Sequence, residues 1–152
     1  DDGTPWMSWG NGTCFLVKLK KNMIELDGEI IVLPMENYVE GPWIYKREGY
    51  YYNVYASMGE GRETISYAMA ENIEGPWTNM GELSGMAEDS FTIHPGVIDY
   101  KGKSYLFYHN STISLDGYGP ATGRRSICVD EMFYNADGSI RPVIQTKAGI
   151  AE

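Results

Sequence analysis

The stretch Glu40-Gly41-Pro42-Trp43-Ile44-Tyr45-Lys46-Arg47-Glu48-Gly49-Tyr50-Tyr51-Tyr52-Asn53-Val54-Tyr55-Ala56 decides the fold. Two runs rich in aromatic and β-branched residues flank Glu48-Gly49, a pair suited to a tight turn, so the segment reads as a β-hairpin. The turn glycine is followed by an aromatic three residues on and another three after that: Gly49, Tyr52, Tyr55. Working outward, the same figure recurs as Gly3, Trp6, Trp9 and as Gly102, Tyr105, Tyr108, at spacings of about 46 and then 53 residues. That period is close to one blade of a β-propeller.

Strands are expected at Pro5–Trp9, Cys14–Leu19, Trp43–Lys46, Tyr50–Ala56, Thr64–Ala70, Gly96–Tyr100, Ser104–His109, Ser126–Phe133 and Pro142–Gln145. Helical periodicity is scarce, and short alternating runs punctuated by Gly, Pro, Asn and Asp dominate. The chain therefore reads as all-β, each unit being strand, hairpin, aromatic strand, loop, strand and a weaker outer strand. A β-sandwich whose hairpins repeat by chance is the competing architecture. About three blades are present and the first lacks its opening strand, whereas propellers close with roughly four to eight. The expectation is an incomplete ring.

Composition narrows the partners. The 152 residues carry a formal net charge of −9, which argues against nucleic acid or an anionic membrane and suits a neutral ligand such as a glycan. No apolar stretch approaches the roughly 20 residues that span a bilayer. Cys14 and Cys128 sit in apolar runs and read as two buried free thiols, neither a disulfide framework nor a zinc site. No nucleophile elbow, phosphate loop or His-Glu-x-x-His motif occurs.

In a propeller the innermost strand of each blade lines the centre, so polar residues at its mouth face a common pocket. The offset that aligns Gly49 with Gly102 also aligns Pro42 with Pro95, which puts Glu40 and His94 at nearly equivalent places in neighbouring blades. A carboxylate and an imidazole converging there would form a catalytic or ion-binding pocket. A solvated surface glutamate and a backbone-satisfied histidine are the plainer readings. Glu-Gly-Pro-Trp occurs again at Glu74–Trp77, but there it follows a third strand and reads as a peripheral turn. His109 reads as structural. Alternation sends Arg124 and Arg125 to opposite faces, so at most one should face the pocket. Asn11-Gly12-Thr13 and Asn110-Ser111-Thr112 match the glycosylation sequon, a pattern common by chance.

Glu40 through Arg47 followed by Gly49–Tyr52 resembles the signature around the general acid of glycoside hydrolase family 43. The segments Gly96–Ile98, Lys101–Lys103 and Tyr105–Asn110 are similar to that family's next blade. Gly123–Asp130 and Asn135–Ile140 resemble the last blade of its bacterial members, and Asp1-Asp2-Gly3 the end of a strand that follows its second acid. The resemblance covers essentially the whole chain. It implies a five-bladed β-propeller of which residues 1–152 carry about three blades, blade three onward, with the N-terminal blades absent.

The resemblance also implies an inverting glycoside hydrolase acting on arabinose- or xylose-containing plant cell-wall polysaccharides or oligosaccharides. An exo-acting α-L-arabinofuranosidase or β-xylosidase leads, with an endo-arabinanase next, and a non-catalytic carbohydrate-binding fragment is the reading from another class. In inverting enzymes one carboxylic acid protonates the leaving oxygen while a carboxylate roughly 6.5–9.5 Å away activates water. Glu40 matches the acid. The base aspartate and the aspartate that tunes the acid match no residue here, so the isolated chain is expected to be inactive and to need the missing N-terminal half as partner. His94 matches a central histidine that in many members holds a calcium ion or its waters. Arg124 matches a sugar-contacting arginine, with Arg125 the alternative if the alignment slips by one, and His94 and Trp43 complete the implied substrate contacts. No cofactor is required, and a structural calcium at the centre is the one ion implied. The expected location is extracellular or periplasmic, in a bacterium.

Overall fold

The computed structural model describes residues 2–119, 121 and 123–150, and every regular element among them is a strand. In chain order these are β1 (Trp6–Trp9), β2 (Cys14–Lys18), β3 (Ile31–Leu33), β4 (Tyr38–Arg47), β5 (Tyr50–Met58), β6 (Glu63–Ala70), β7 (Thr78–Ser84), β8 (Gly96–Tyr100), β9 (Lys103–Asn110) and β10 (Ser126–Met132). They form three antiparallel sheets of consecutive strands: β1-β2-β3, β4-β5-β6-β7 and β8-β9-β10. The first strand of the middle sheet, β4, packs beside both β1 and β8, so the innermost strands of all three sheets meet. This is part of a β-propeller, as the repeat implies, with the middle blade complete in four strands. Asp1, the first residue of the Asp-Asp-Gly resemblance, lies outside the described residues.

The hairpins are closed as their sequences demand. Glu48 and Gly49 both take positive φ, 48° and 91°, and Lys101 and Gly102 take 50° and 78°. Two consecutive left-handed residues make the turn whose twist matches that of the flanking strands.

The aromatic repeat now has a physical meaning. Residues three apart on a strand point to opposite faces. In the middle sheet Tyr52 packs into the core shared with β8–β10, among Val97, Leu106 and Met132, while Tyr55 packs into the core shared with β1–β3, among Cys14, Leu16 and Leu33. Trp6 likewise joins the core against the middle sheet, and Tyr108 is buried on the side facing that same sheet. The first aromatic of each copy faces the following blade and the second faces the preceding one. β6 serves both cores at once: Ile65, Tyr67 and Met69 go one way and Ala68 and Ala70 the other, which leaves all eight of its residues buried.

At the two ends of the arc this alternation has no partner among the described residues. Beyond β8–β10 the outer face presents Ile98, Phe107 and Ile127, the last 85% exposed, and beyond β1–β3 it presents Met7 and Val32 with Trp9 stacked on Phe15.

Two strands are absent from the sequence reading and one expected strand is not formed. β3 has only three residues and β7 reads Thr-Asn-Met-Gly-Glu-Leu-Ser, so neither shows a sustained apolar alternation. Pro142–Gln145 is not a strand. Pro142 has no N–H to donate, and the segment instead runs along the middle sheet, with one backbone bond from Val143 to Leu83 (2.8 Å) and the Val143 side chain in the core.

Candidate active site

Glu40 is aimed by an irregularity in β4. The strand pairs with β5 through Tyr38↔Ser57, Glu40↔Ala56 and Trp43↔Val54, so it carries an extra residue on each side of Glu40. Such bulges bend a strand and redirect its side chains. Gly41 completes the bend at φ 65°, and a Cβ there would lie 2.7 Å from Nε2 and 2.8 Å from Nδ1 of His94. Only glycine allows the imidazole of the next blade to lie against this backbone.

The carboxyl is approached from both neighbouring blades. Asn11, in the turn joining β1 to β2, donates from Nδ2 to Glu40 Oε2 at 3.1 Å. That turn is fixed to β4 by the Asn11↔Glu40 bridge and by the Gly12 N–H donating to the Val39 carbonyl at 2.7 Å. From the other side His94 Nε2 stands 3.6 Å from Glu40 Oε1, too far for a hydrogen bond and close enough for an ion pair when the imidazole is protonated. Glu40 is about one-third exposed and His94 one-half, so both reach solvent.

Behind them lies Glu63, the first residue of β6, which is 4% exposed. Its carboxylate accepts the Ile93 N–H at 3.0 Å and its own N–H donates to the Phe91 carbonyl at 3.0 Å. Two bonds thus hold the segment that carries His94. Burial pushes the Glu63 carboxyl above the usual carboxylate range; the Ile93 N–H pulls it back, the negative charge of Glu40 raises it, and His94 and Arg125 lower it. His109, on β9, is buried with neither ring nitrogen hydrogen-bonded, and burial, then the charge of Arg125, then His94, holds it below the usual imidazole value.

The two arginines part company. Arg124 donates from Nη1 to the carbonyls of Gly119 (2.6 Å), Ile113 (3.3 Å) and Tyr118 (3.3 Å), and its guanidinium lies 5.8 Å from the Tyr118 ring centroid. It ties together the loop before β10. Arg125 is exposed, and its charge acts on Glu63 and His109. Trp43 donates its indole N–H to the Val97 carbonyl at 3.0 Å, bridging two blades, and remains 46% exposed. With His94, Phe107 and Ile127 it lines an apolar cleft of about 520 Å³.

Glu74 sits in the peripheral turn, away from this cluster, beside a buried Trp77 whose indole N–H is taken by the Ile73 carbonyl. Cys14 and Cys128 are free thiols, the first buried and the second half-buried, and burial raises both. Calcium takes six to eight oxygen ligands. Among the described residues no three His, Cys, Asp or Glu side chains converge to hold a metal, so the pair Glu40 and His94 does not by itself make a calcium site.

Glu40 and His94 were legible in the sequence through the blade alignment. Asn11 was visible only as a sequon match, and Glu63 was not singled out, although it is the one charged residue opening an otherwise uncharged strand.

Chemically, this is a solvent-reaching carboxyl held on one oxygen by a neutral amide, with an imidazole beside the other. Such a group can deliver a proton to a bound ligand. Residues 1–140 match the family model described as Glycosyl hydrolases family 43. The chain is 32% identical over 157 residues to the β-D-galactofuranosidase xynD of Aspergillus niger, covering 99% of the chain and 45% of that protein. To the β-xylosidase of Xylanibacter ruminicola it is 36% identical over 106 residues, covering 70% of the chain and 31% of that protein. The crystal structure of a Bacillus subtilis family 43 arabinoxylan arabinofuranohydrolase in complex with cellotetraose superposes with a TM-score of 0.85 at 24% identity, over 99% of the chain and 37% of that protein. The chain thus spans less than half the length of these relatives.

Proposed function

The chain belongs to glycosyl hydrolases family 43, and on that premise we propose that Glu40 is the general acid of an inverting glycoside hydrolase. The substrate class is an arabinose- or xylose-containing glycan, cleaved from its end as by an α-L-arabinofuranosidase or β-xylosidase. The observation that carries this reading is Glu40 itself, bent out of its strand by two bulges and approached by Asn11 and His94 from the two adjoining blades. Its proton goes to the glycosidic oxygen as the bond from that oxygen to the anomeric carbon breaks. Water adds to the opposite face of that carbon and gives its own proton to a carboxylate base.

No described residue is placed to be that base, since Glu63 is buried and already engaged by Ile93. The base comes from polypeptide outside residues 1–152, and the same polypeptide covers the open faces at the two ends of the arc. Arg124, or Arg125 if the alignment slips by one, together with His94 and the exposed face of Trp43, are the sugar contacts of this reading. Names of a xylosidase and an arabinofuranohydrolase among its relatives support the pentose-glycan reading.

The test is Glu40→Gln in the protein as its gene encodes it. The amide keeps the shape and removes the transferable proton, so turnover of a natural arabinoside or xyloside falls by about 10²–10⁴-fold. An aryl glycoside with an acidic phenol leaves without help and loses far less. Glu74→Gln changes neither rate. Undiminished natural-substrate turnover in Glu40→Gln, or its loss in Glu74→Gln, refutes the assignment.

A further inference from the structure

We propose that Asn11 is a positioning residue for Glu40, fixing which carboxyl oxygen carries the transferable proton; the inference rests on Glu40 being the acid. Asn11 belongs to another blade, 29 residues away in the chain, yet among the described residues its side-chain amide is the one hydrogen-bond donor to the Glu40 carboxyl. The placement is built into the backbone. Gly10 and Gly12, on either side, both take positive φ (136° and 74°), a Cβ on Gly10 would collide with the Thr13 backbone, and the Gly12 N–H is tied to the Val39 carbonyl next to Glu40.

An amide N–H prefers the carbonyl-type oxygen of a carboxylic acid, because the hydroxyl oxygen is the poorer acceptor. With Oε2 occupied by Asn11, the proton resides on Oε1, the oxygen on the His94 side. That oxygen lies on the side of the imidazole, facing the blade of β8–β10. Asn11 therefore makes no bond to the reacting atoms and acts through the geometry of the acid. A carboxyl without this anchor rotates and divides its proton between two directions, one of them unproductive.

The test is Asn11→Ala and the isosteric Asn11→Asp in the full-length protein, each assayed on a natural glycoside and on an aryl glycoside with an acidic phenol. For Asn11→Ala the expected result is a kcat on the natural substrate lower by about tenfold, with KM and aryl-glycoside turnover little changed. In Asn11→Asp a second carboxylate faces Oε2, so the alkaline limb of the kcat/KM profile moves to higher pH. A role confined to the turn would lower the melting temperature and slow both substrates alike, and that pattern overturns the proposal. So does an unchanged natural-substrate kcat in Asn11→Ala, or an unmoved pH profile in Asn11→Asp. If Asn11→Ala does not fold, the pH profile of Asn11→Asp decides alone. Glu40→Gln run in parallel separates the two ideas: if it is inactive while the Asn11 variants behave as wild type, only the positioning role is lost.

Discussion

Replacing Gly41 by alanine measures how tightly the two blades are locked at the acid. Two separate costs are expected. The first is conformational: φ at this position is 65°, and an L-residue in the left-handed region costs roughly 1–2 kcal/mol. The second is steric, since the new methyl would stand 2.7 and 2.8 Å from the two ring nitrogens of His94, inside any normal contact. Overpacking of this kind typically costs about 1–3 kcal/mol. Gly102→Ala supplies the reference, because its φ is 78° and nothing lies within 4 Å of the added carbon, so it carries the first cost alone. Urea unfolding of both variants should therefore place Gly41→Ala about 1–3 kcal/mol below Gly102→Ala. In a His94→Ala background the methyl gains room, and the excess should vanish as a coupling energy of the same size. Equal destabilisation by the two glycine variants, or an excess that survives removal of the imidazole, refutes the contact.

Glu63→Gln tests the buried carboxyl behind the site. Its folded-state value is raised above the unfolded one, so the folded protein holds the extra proton and wild-type stability falls as pH rises from the unfolded to the folded value. Glutamine still accepts the Ile93 N–H and has no charge to desolvate; its stability relative to wild type should therefore climb through that window, and a pH-independent difference would count against the burial argument. The open outer face of β8–β10 makes a further prediction. Residues 1–152 expressed alone should self-associate, and Phe107→Lys with Ile127→Lys should shift them toward monomer in sedimentation velocity; a monodisperse wild-type monomer would show that the arc needs no cover.

Sequence by itself determined the strands that lie between two neighbours and the turns that join them. A central strand must satisfy two faces and two ladders, so the Tyr52 and Tyr55 hairpin and the run Thr64–Ala70 carry a dense, regular pattern. Glu48-Gly49 and Lys101-Gly102 declare their turns because few residue pairs accept two positive φ angles in succession. Counting the offset between copies of the repeat was enough to put Glu40 beside His94. Two outer strands escaped, β3 because three residues are too few to show a pattern and β7 because its Thr-Asn-Met-Gly-Glu-Leu-Ser run is largely polar. The tertiary structure alone decided the partners of the acid. Asn11 and Glu63 are remote from Glu40 in the chain, and their meeting depends on how three sheets are splayed about a shared edge. The surroundings of the two arginines were decided in the same way: Arg124 donates to the carbonyls of Ile113, Tyr118 and Gly119, whereas Arg125 is exposed. Local sequence fixes the periodicity of a strand, whereas a site assembled from three blades is fixed by the packing between them.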